Sequence, residues 1–274
     1  MKKLKLIVSL IILTFFSLFA LFPIGYIFAV SFKNNNSFQL SSFQIWTDSS
    51  SFDNYIKLFT ETQFPTWLIN SLVVSTSVTL FGITLAAFAA YALSRFPLRG
   101  GPTFLLVLLS TQMLPATMLL LPFYLLLSKF GLANHYLGLL IIYSSTALPF
   151  CIWQLKAWFD SIPKSLEEAA QVDGSTRLQA FFKVILPISG PALAVTSLFQ
   201  FMTAWSEYAI AAIILQDSEL FTLPVGLKSF QASLATEWGL YAAAAVLVSI
   251  PAVLLFTLLS KALISGLTMG SVKG

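Results

Sequence analysis

Charged residues are so sparse along this 274-residue chain that their positions mark out its plan. Runs free of Asp, Glu, Lys and Arg cover 6–32, 62–94, 100–128, 130–155 and 238–260, and a sixth, 184–216, is interrupted only by Glu207. Each run reaches the roughly 20 apolar residues that a helix needs to cross a bilayer. Period-two alternation is absent, which argues against strands closing into a barrel and leaves helices, since these satisfy their own backbone in lipid. The pattern predicts an all-α membrane protein with six transmembrane helices, spanning about 7–32, 66–94, 103–128, 137–158, 191–215 and 239–263. Three polar stretches lie between them: 33–65, rich in Ser, Asn and Phe, then 157–190, then 217–237. They are longer than simple connections need, so binding to partners on both sides of the membrane is expected.

Composition agrees: 57% of residues are apolar and only 9% charged, too few charges to clothe a soluble surface of this size. Charge then sets the orientation. With the N-terminus inside, cytoplasmic segments hold Lys2, Lys3, Lys5, Arg95, Arg99, Lys156, Lys164, Arg177, Lys183, Lys261 and Lys273, leaving Lys33, Lys57, Lys129 and Lys228 outside. The positive-inside rule therefore places both termini in the cytoplasm, and the net charge of +4 reports topology, not nucleic-acid binding. The first apolar run is too long for a cleaved signal peptide and reads as a retained span. Cys151 and His135 are each alone of their kind, so neither a disulfide within the chain nor a metal centre is expected.

Several spans carry helix-disturbing residues: Pro23 with Gly25, Pro115 and Pro122, Pro149, and Pro251. Bent helices are expected, either packed or lining a gated interior. In the second span, Ser71, Ser75, Thr79, Gly82, Ala86 and Ala90 recur at spacings of three and four, a small-residue seam that lets helices approach closely. Asn70 begins the seam and could bond across helices or face a pore.

Within 157–190, Ser165 followed three residues later by Glu168 has the form of a capping box, and Glu167 and Glu168 lie at the positive end of the helix it would start. Glu168 thus reads either as a local cap or as an acidic contact for a partner. Gly174 can take the left-handed conformation that ends such a helix. Beyond it, Leu178, Phe181 and Phe182 form an apolar stripe between Arg177 and Lys183. A helix this short gains little stability alone, so its stripe needs a groove or the membrane surface.

Glu207 is the one acidic residue inside a predicted span, which makes it a functional candidate. It extends a face formed by Thr196, Gln200 and Thr203, with Trp205 and Tyr208 nearby. Aromatic rings beside amide and hydroxyl groups suit a neutral sugar, whereas a bond to a neighbouring helix is the structural alternative. Gln112 is a candidate of the same kind.

The string EAAQVDGSTRLQAFFKVILP over 168–187 resembles the signature loop of ABC importer permeases, with Val184 where isoleucine is usual. The segments Leu121-Pro122-Phe123-Tyr124, Gly131-Leu132 and Tyr136-Leu137-Gly138-Leu139, the FTLPVGL stretch over 221–227 and the tail GLTMGSVKG over 266–274 are similar to carbohydrate importers of the maltose type. The tail is similar to that of the smaller of their two permease subunits. The resemblance implies the type I ABC importer permease fold, with 159–190 as a cytoplasmic coupling loop and 264–274 as a cytoplasmic tail.

It further implies a subunit in a bacterial inner (plasma) membrane that moves a di- or oligosaccharide, or a glycosylated polyol, by alternating access. A second permease, two ATPase subunits and an extracytoplasmic sugar-binding protein are the implied partners. The chain has no G-x-x-x-x-G-K-[ST] phosphate loop, so ATP and Mg are expected on the ATPase subunits, with no cofactor, metal or catalytic residue here. Carried over by motif, Glu168, Ala169, Ala170, Asp173, Gly174, Leu178, Phe181, Phe182 and Pro187 would couple to the ATPase, and Gly270, Val272 and Lys273 would reach it from the tail. Thr222, Pro224, Gly226 and Gln231 would meet the binding protein, while Asn70, Gln112, Gln200, Thr203, Glu207 and Tyr208 are candidates for the substrate pathway. The rival from another class is an ion-coupled secondary carrier of a small polar solute, which would show paired inverted halves and more intramembrane carboxylates.

Overall fold

The computed structural model describes residues 2–33, 50–97, 99–231 and 236–269, with side chains at 2, 4 and 261–269 excepted. Helices follow one another as α1 (Lys2–Ser31), α2 (Asp53–Thr60), α3 (Phe64–Arg95), α4 (Gly101–Ser110), α5 (Leu120–Lys129), α6 (Tyr136–Ser161), α7 (Ser165–Val172) and α8 (Arg177–Ala180). A π-turn, Phe181–Ile185, leads into α9 (Leu186–Ile188), α10 (Gly190–Ser206), α11 (Ala209–Ile214), α12 (Leu223–Lys228) and α13 (Trp238–Met269). Among the described residues the only extended pairing is an isolated bridge between Lys33 and Ser50.

Four helices, α1, α3, α6 and α13, are long and apolar enough to cross a membrane unbroken. Two further spans arise only if bent pairs are each taken as one. Gly101–Met113 and Ala116–Lys129 meet at 89°, and Arg177–Ile188 and Gly190–Ser206 meet at 78°. The first bend falls where Leu114 and Pro115 are both extended. Proline cannot donate to the helix and pushes the residue before it out of the helical region. Pro23, Pro149 and Pro251, by contrast, sit inside helices that continue through them. The helix expected over 191–215 is interrupted: α10 ends at Ser206, Glu207 is extended, and α11 starts afresh at Ala209.

The chain divides into two compact units, Met1–Thr66 with Val225–Pro251 and Trp67–Pro224 with Ala252–Gly274. In the first, α2 is tied to the end of α1: Asn54 Nδ2 donates to the carbonyls of Ser31 and Lys33, each at 3.0 Å, and the Ser31 and Tyr55 hydroxyls lie 2.8 Å apart. Lys57 also pairs with Glu237 at 2.8 Å.

In the second unit, α3 packs its small-residue seam inward. Ser71, Ser75, Gly82, Ala86 and Ala90 are all buried. The core continues through Cys151, Ile152, Leu155 and Phe159 of α6 to Phe181 and Ile185 of the π-turn. Gly82 is a requirement of that packing: a Cβ there would lie 1.7 Å from Nε2 of Gln200. The buried Gln200 amide spans three helices, donating to the Val78 carbonyl at 3.0 Å and accepting from Cys151 Sγ at 3.3 Å.

Candidate functional site

The segment 165–188 begins with a helix whose capping differs from expectation. Ser165 and Glu168 do not form a box: Ser165 is already inside the helix, and Lys164 occupies the N-cap position without a side-chain bond. The capping box lies instead at α8, where Thr176 Oγ1 accepts from the Gln179 N–H at 3.2 Å and Gln179 Oε1 accepts from the Thr176 N–H at 2.9 Å. Gly174 links the two helices at φ +89°, a conformation that side chains with a Cβ adopt at a cost. Its N–H reaches Gln171 O at 3.0 Å and the Ser175 N–H reaches Ala170 O at 2.9 Å, which closes the end of α7.

One guanidinium fastens this segment to the membrane helices. Arg95, at the end of α3, forms a buried ion pair with Glu167 through Nε and Oε1. Its Nη1 donates to the Phe159 carbonyl at 2.8 Å and its Nη2 to that of Ile162 at 3.1 Å, so it also caps the end of α6. The second Glu167 oxygen accepts from the Tyr91 hydroxyl at 2.7 Å. With every oxygen of the carboxylate engaged, the charge is held by direct partners as a buried ion requires. Around this hub the Phe181 ring, 1% exposed, lies 4.6 Å from the Tyr91 ring and 5.5 Å from that of Phe88.

The opposite face is bare. Glu168, Ala169, Asp173, Gly174 and Pro187 are exposed and Ala170 is half-buried. Leu178 and Phe182 are 58% and 48% exposed. The apolar stripe is therefore divided: Phe181 is the buried anchor, while Leu178 and Phe182 are exposed, the Phe182 ring resting edge to face against Phe88 at 6.0 Å. Sequence reasoning missed Tyr91, Arg95 and Glu167, and also Leu166 and Val172, two apolar side chains exposed on α7. Arg95 had signalled only topology, and its pairing with a residue 72 positions later carries no local pattern.

The candidates for a substrate pathway do not converge. Gln200 is fully buried with its amide engaged as above, so it braces helices and lines no open path. Asn70 donates through Nδ2 to the carbonyls of Glu219 and Phe221, at 2.8 and 2.9 Å, tying α3 to the loop before α12. Glu207 is not part of a continuous helical stripe. Its carboxylate accepts from the N–H groups of Ile210 and Ala211 at 2.8 and 3.1 Å, as an N-terminal cap for α11. Tyr143 Oη donates to it as well, at 2.6 Å. Gln112, Thr203 and Tyr208 remain exposed, although Gln112 Nε2 donates to the Thr146 carbonyl at 2.8 Å and Thr203 Oγ1 to that of Phe199 at 2.9 Å.

Of the residues assigned to a binding protein, Thr222 and Gly226 are buried, and Pro224 and Gln231 are half-buried. Lys228 donates to Gln231 Oε1 at 2.7 Å. The tail residues Gly270, Val272 and Lys273 lie outside the described residues. Among the described residues no group of His, Cys, Asp and Glu side chains converges as a metal site.

Residues 82–268 match the model of the family described as binding-protein-dependent transport system inner membrane component. The chain is 35% identical to the diacetylchitobiose uptake system permease protein of Streptomyces coelicolor, over 92% of each chain. It is 34% identical to the maltodextrin transport system permease protein of Bacillus subtilis, over 100% of this chain and 98% of that one. The trehalose/maltose transport system permease protein of Thermococcus litoralis is 33% identical with the same coverage. Among solved structures, a chain of a bacterial ABC transporter that imports the acidic polysaccharide alginate superposes with a TM-score of 0.81 at 28% identity, covering 93% of this chain and 95% of that one. These matches, with the apolar helices, establish that the chain belongs to the binding-protein-dependent transport system inner membrane component family, as a multi-pass inner-membrane permease subunit of an ABC importer without an ATPase site of its own.

Proposed function

We propose that this permease imports a di- or oligosaccharide, or a glycosylated polyol, by alternating access, and that the outer face of 165–182 is where a partner ATPase engages it. The observation that carries the coupling reading is the division of the signature loop. Glu167 and Phe181 fasten its inner face to α3 and α6, while Glu168, Asp173, Leu178 and Phe182 stand exposed on the other. A rigid inner face and a bare outer one are what a lever needs. The proposed assembly pairs this chain with a second, distinct permease and two ATPase subunits that bind ATP and Mg. An extracytoplasmic sugar-binding protein meets the segment around Thr222, Pro224, Gly226 and Gln231, and the tail residues Gly270, Val272 and Lys273 add to the ATPase contact.

In this arrangement six spans cross the membrane, each bent pair counting as one, with both termini in the cytoplasm. Closure of the ATPases moves 159–190 as a unit and turns the pathway from inward-facing to outward-facing. The sugar class follows from relatives named for diacetylchitobiose, maltodextrin and trehalose/maltose. An ion-coupled carrier loses its best candidate group, because the Glu207 carboxylate is committed to two backbone N–H groups and Tyr143.

Gly174→Pro tests the lever. Proline is fixed near φ −65° and cannot take the +89° found here. The variant is expected to insert normally, assemble poorly with the ATPase and lose sugar-stimulated hydrolysis, whereas Gly174→Asn, which tolerates the left-handed region, retains part of it. Unaltered uptake by Gly174→Pro would refute the assigned role.

A further inference from the structure

The short helix α2, between the first two spans, carries an apolar face that the transport reading leaves unused. Phe52, immediately before it, and Ile56 and Phe59 within it are separated by four and three residues, so they share one side. They are 58%, 59% and 50% exposed. Leu58 and Tyr55 continue this apolar side inward, Leu58 being fully buried, and Asp53, Lys57 and Glu61 occupy the remainder. The helix is therefore amphipathic with an apolar arc wider than its buried face.

Its position says what covers the excess. Asn54 and Tyr55 bond to Ser31 and Lys33 at the end of α1, as described above. At the other end Thr62 Oγ1 bridges the Leu58 carbonyl at 2.6 Å and the Phe64 N–H at 3.1 Å, and the Phe59 and Phe64 rings meet edge to face at 5.7 Å. Both α1 and α3 are long and apolar enough to cross a membrane. A helix held within one turn of two span ends lies where the bilayer meets water. On α1, Ile24, Ile27 and Phe28, within two turns of its end at Ser31, are also exposed. We infer that α2 lies flat in the lipid–water boundary, with Ile56 and Phe59 among the upper acyl chains and Asp53 and Lys57 toward water. Such a placement is the ordinary behaviour of an interfacial amphipathic helix. It would fix the depth of α1 and α3 against sliding along the membrane normal.

The test places nitroxide spin labels, one at a time, at Asp53→Cys, Ile56→Cys and Phe59→Cys in a Cys151→Ala background. The full transporter is co-expressed, checked for uptake and reconstituted in phosphatidylethanolamine–phosphatidylglycerol vesicles. Relaxation by oxygen, which concentrates in acyl chains, is compared with relaxation by a water-soluble nickel chelate. At positions 56 and 59 oxygen is expected to dominate severalfold, and at position 53 the chelate. Dominance of the chelate at 56 and 59 would place the face in water, and protection from both reagents there would place it against protein. Either result overturns the inference.

Discussion

Removing Arg95 is the sharpest single perturbation of this molecule, because its guanidinium serves three elements at once. In Arg95→Ala the Glu167 carboxylate keeps only the Tyr91 hydroxyl, in a site where the paired side chains are 7% and 8% exposed. Breaking a buried pair by deleting one partner costs about 3–5 kcal/mol, since the remaining charge is uncompensated. The carbonyls of Phe159 and Ile162 also lose their donor. Replacing both partners, as in Arg95→Met with Glu167→Leu, removes the stranded charge and is expected to recover most of the loss, leaving about 1–2 kcal/mol for the orphaned polar groups. Glu167→Gln should fall between them. The assay is reversible unfolding of the purified permease in mixed micelles titrated with SDS, followed by tryptophan fluorescence, with the parent, Arg95→Met, Glu167→Leu and the double variant forming a double-mutant cycle. A coupling energy below about 0.5 kcal/mol would refute the view that this pair locks the loop to α3 and α6.

Gly82→Ala drives a methyl group into Gln200 and should cost about 1–3 kcal/mol, with Gln200→Ala in the same chain restoring most of it; equal stability of Gly82→Ala and the parent in the SDS titration would contradict the packing. Glu207→Gln keeps a single carbonyl acceptor for α11 and should lower stability by about 1–2 kcal/mol while leaving the KM for substrate-loaded binding protein unchanged. Intact stability with abolished uptake would instead mark a pathway residue. The Glu237 carboxylate hydrogen-bonded to Lys57 raises its ammonium above the ordinary lysine value. A raised pKa stabilises the fold below the unfolded lysine value of about 10.4 and loses that contribution as pH rises through the folded value. With both side chains two-fifths exposed, the gain is small. The Glu237→Gln deficit should stay under about 1 kcal/mol at neutral pH and vanish in strongly alkaline solution, and a deficit that grew with pH would contradict the pairing.

Much of the architecture was legible because charge-free length is a strong signal: α1, α3, α6 and α13 lie where the sparse charges left room. The small residues of α3 forecast close packing for the same local reason. What escaped detection depends on distant partners. Glu167 and Glu168 are neighbours of identical chemistry, and Arg95 and Tyr91, brought in from the end of α3, decide which one is buried. Phe181 and Phe182 separate likewise: the rings of Tyr91 and Phe159 enclose the first, while the second meets only the edge of Phe88 and Phe181 and stays half exposed. Glu207 read as a membrane-embedded charge because hydropathy gives no sign that a carboxylate can break a helix and cap the next one.

The claim that most depends on a partner is that the outer face of the signature loop is gripped by an ATPase. A photo-reactive amino acid placed singly at Leu178, Phe181 and Phe182, in native membranes containing the full transporter, tests it directly. Irradiation is predicted to join positions 178 and 182 to the ATPase subunit in nucleotide-sensitive yield, while position 181, buried against α3, gives adducts only within this chain. Lipid adducts alone at 178 and 182, or a strong ATPase adduct from 181, would contradict the account.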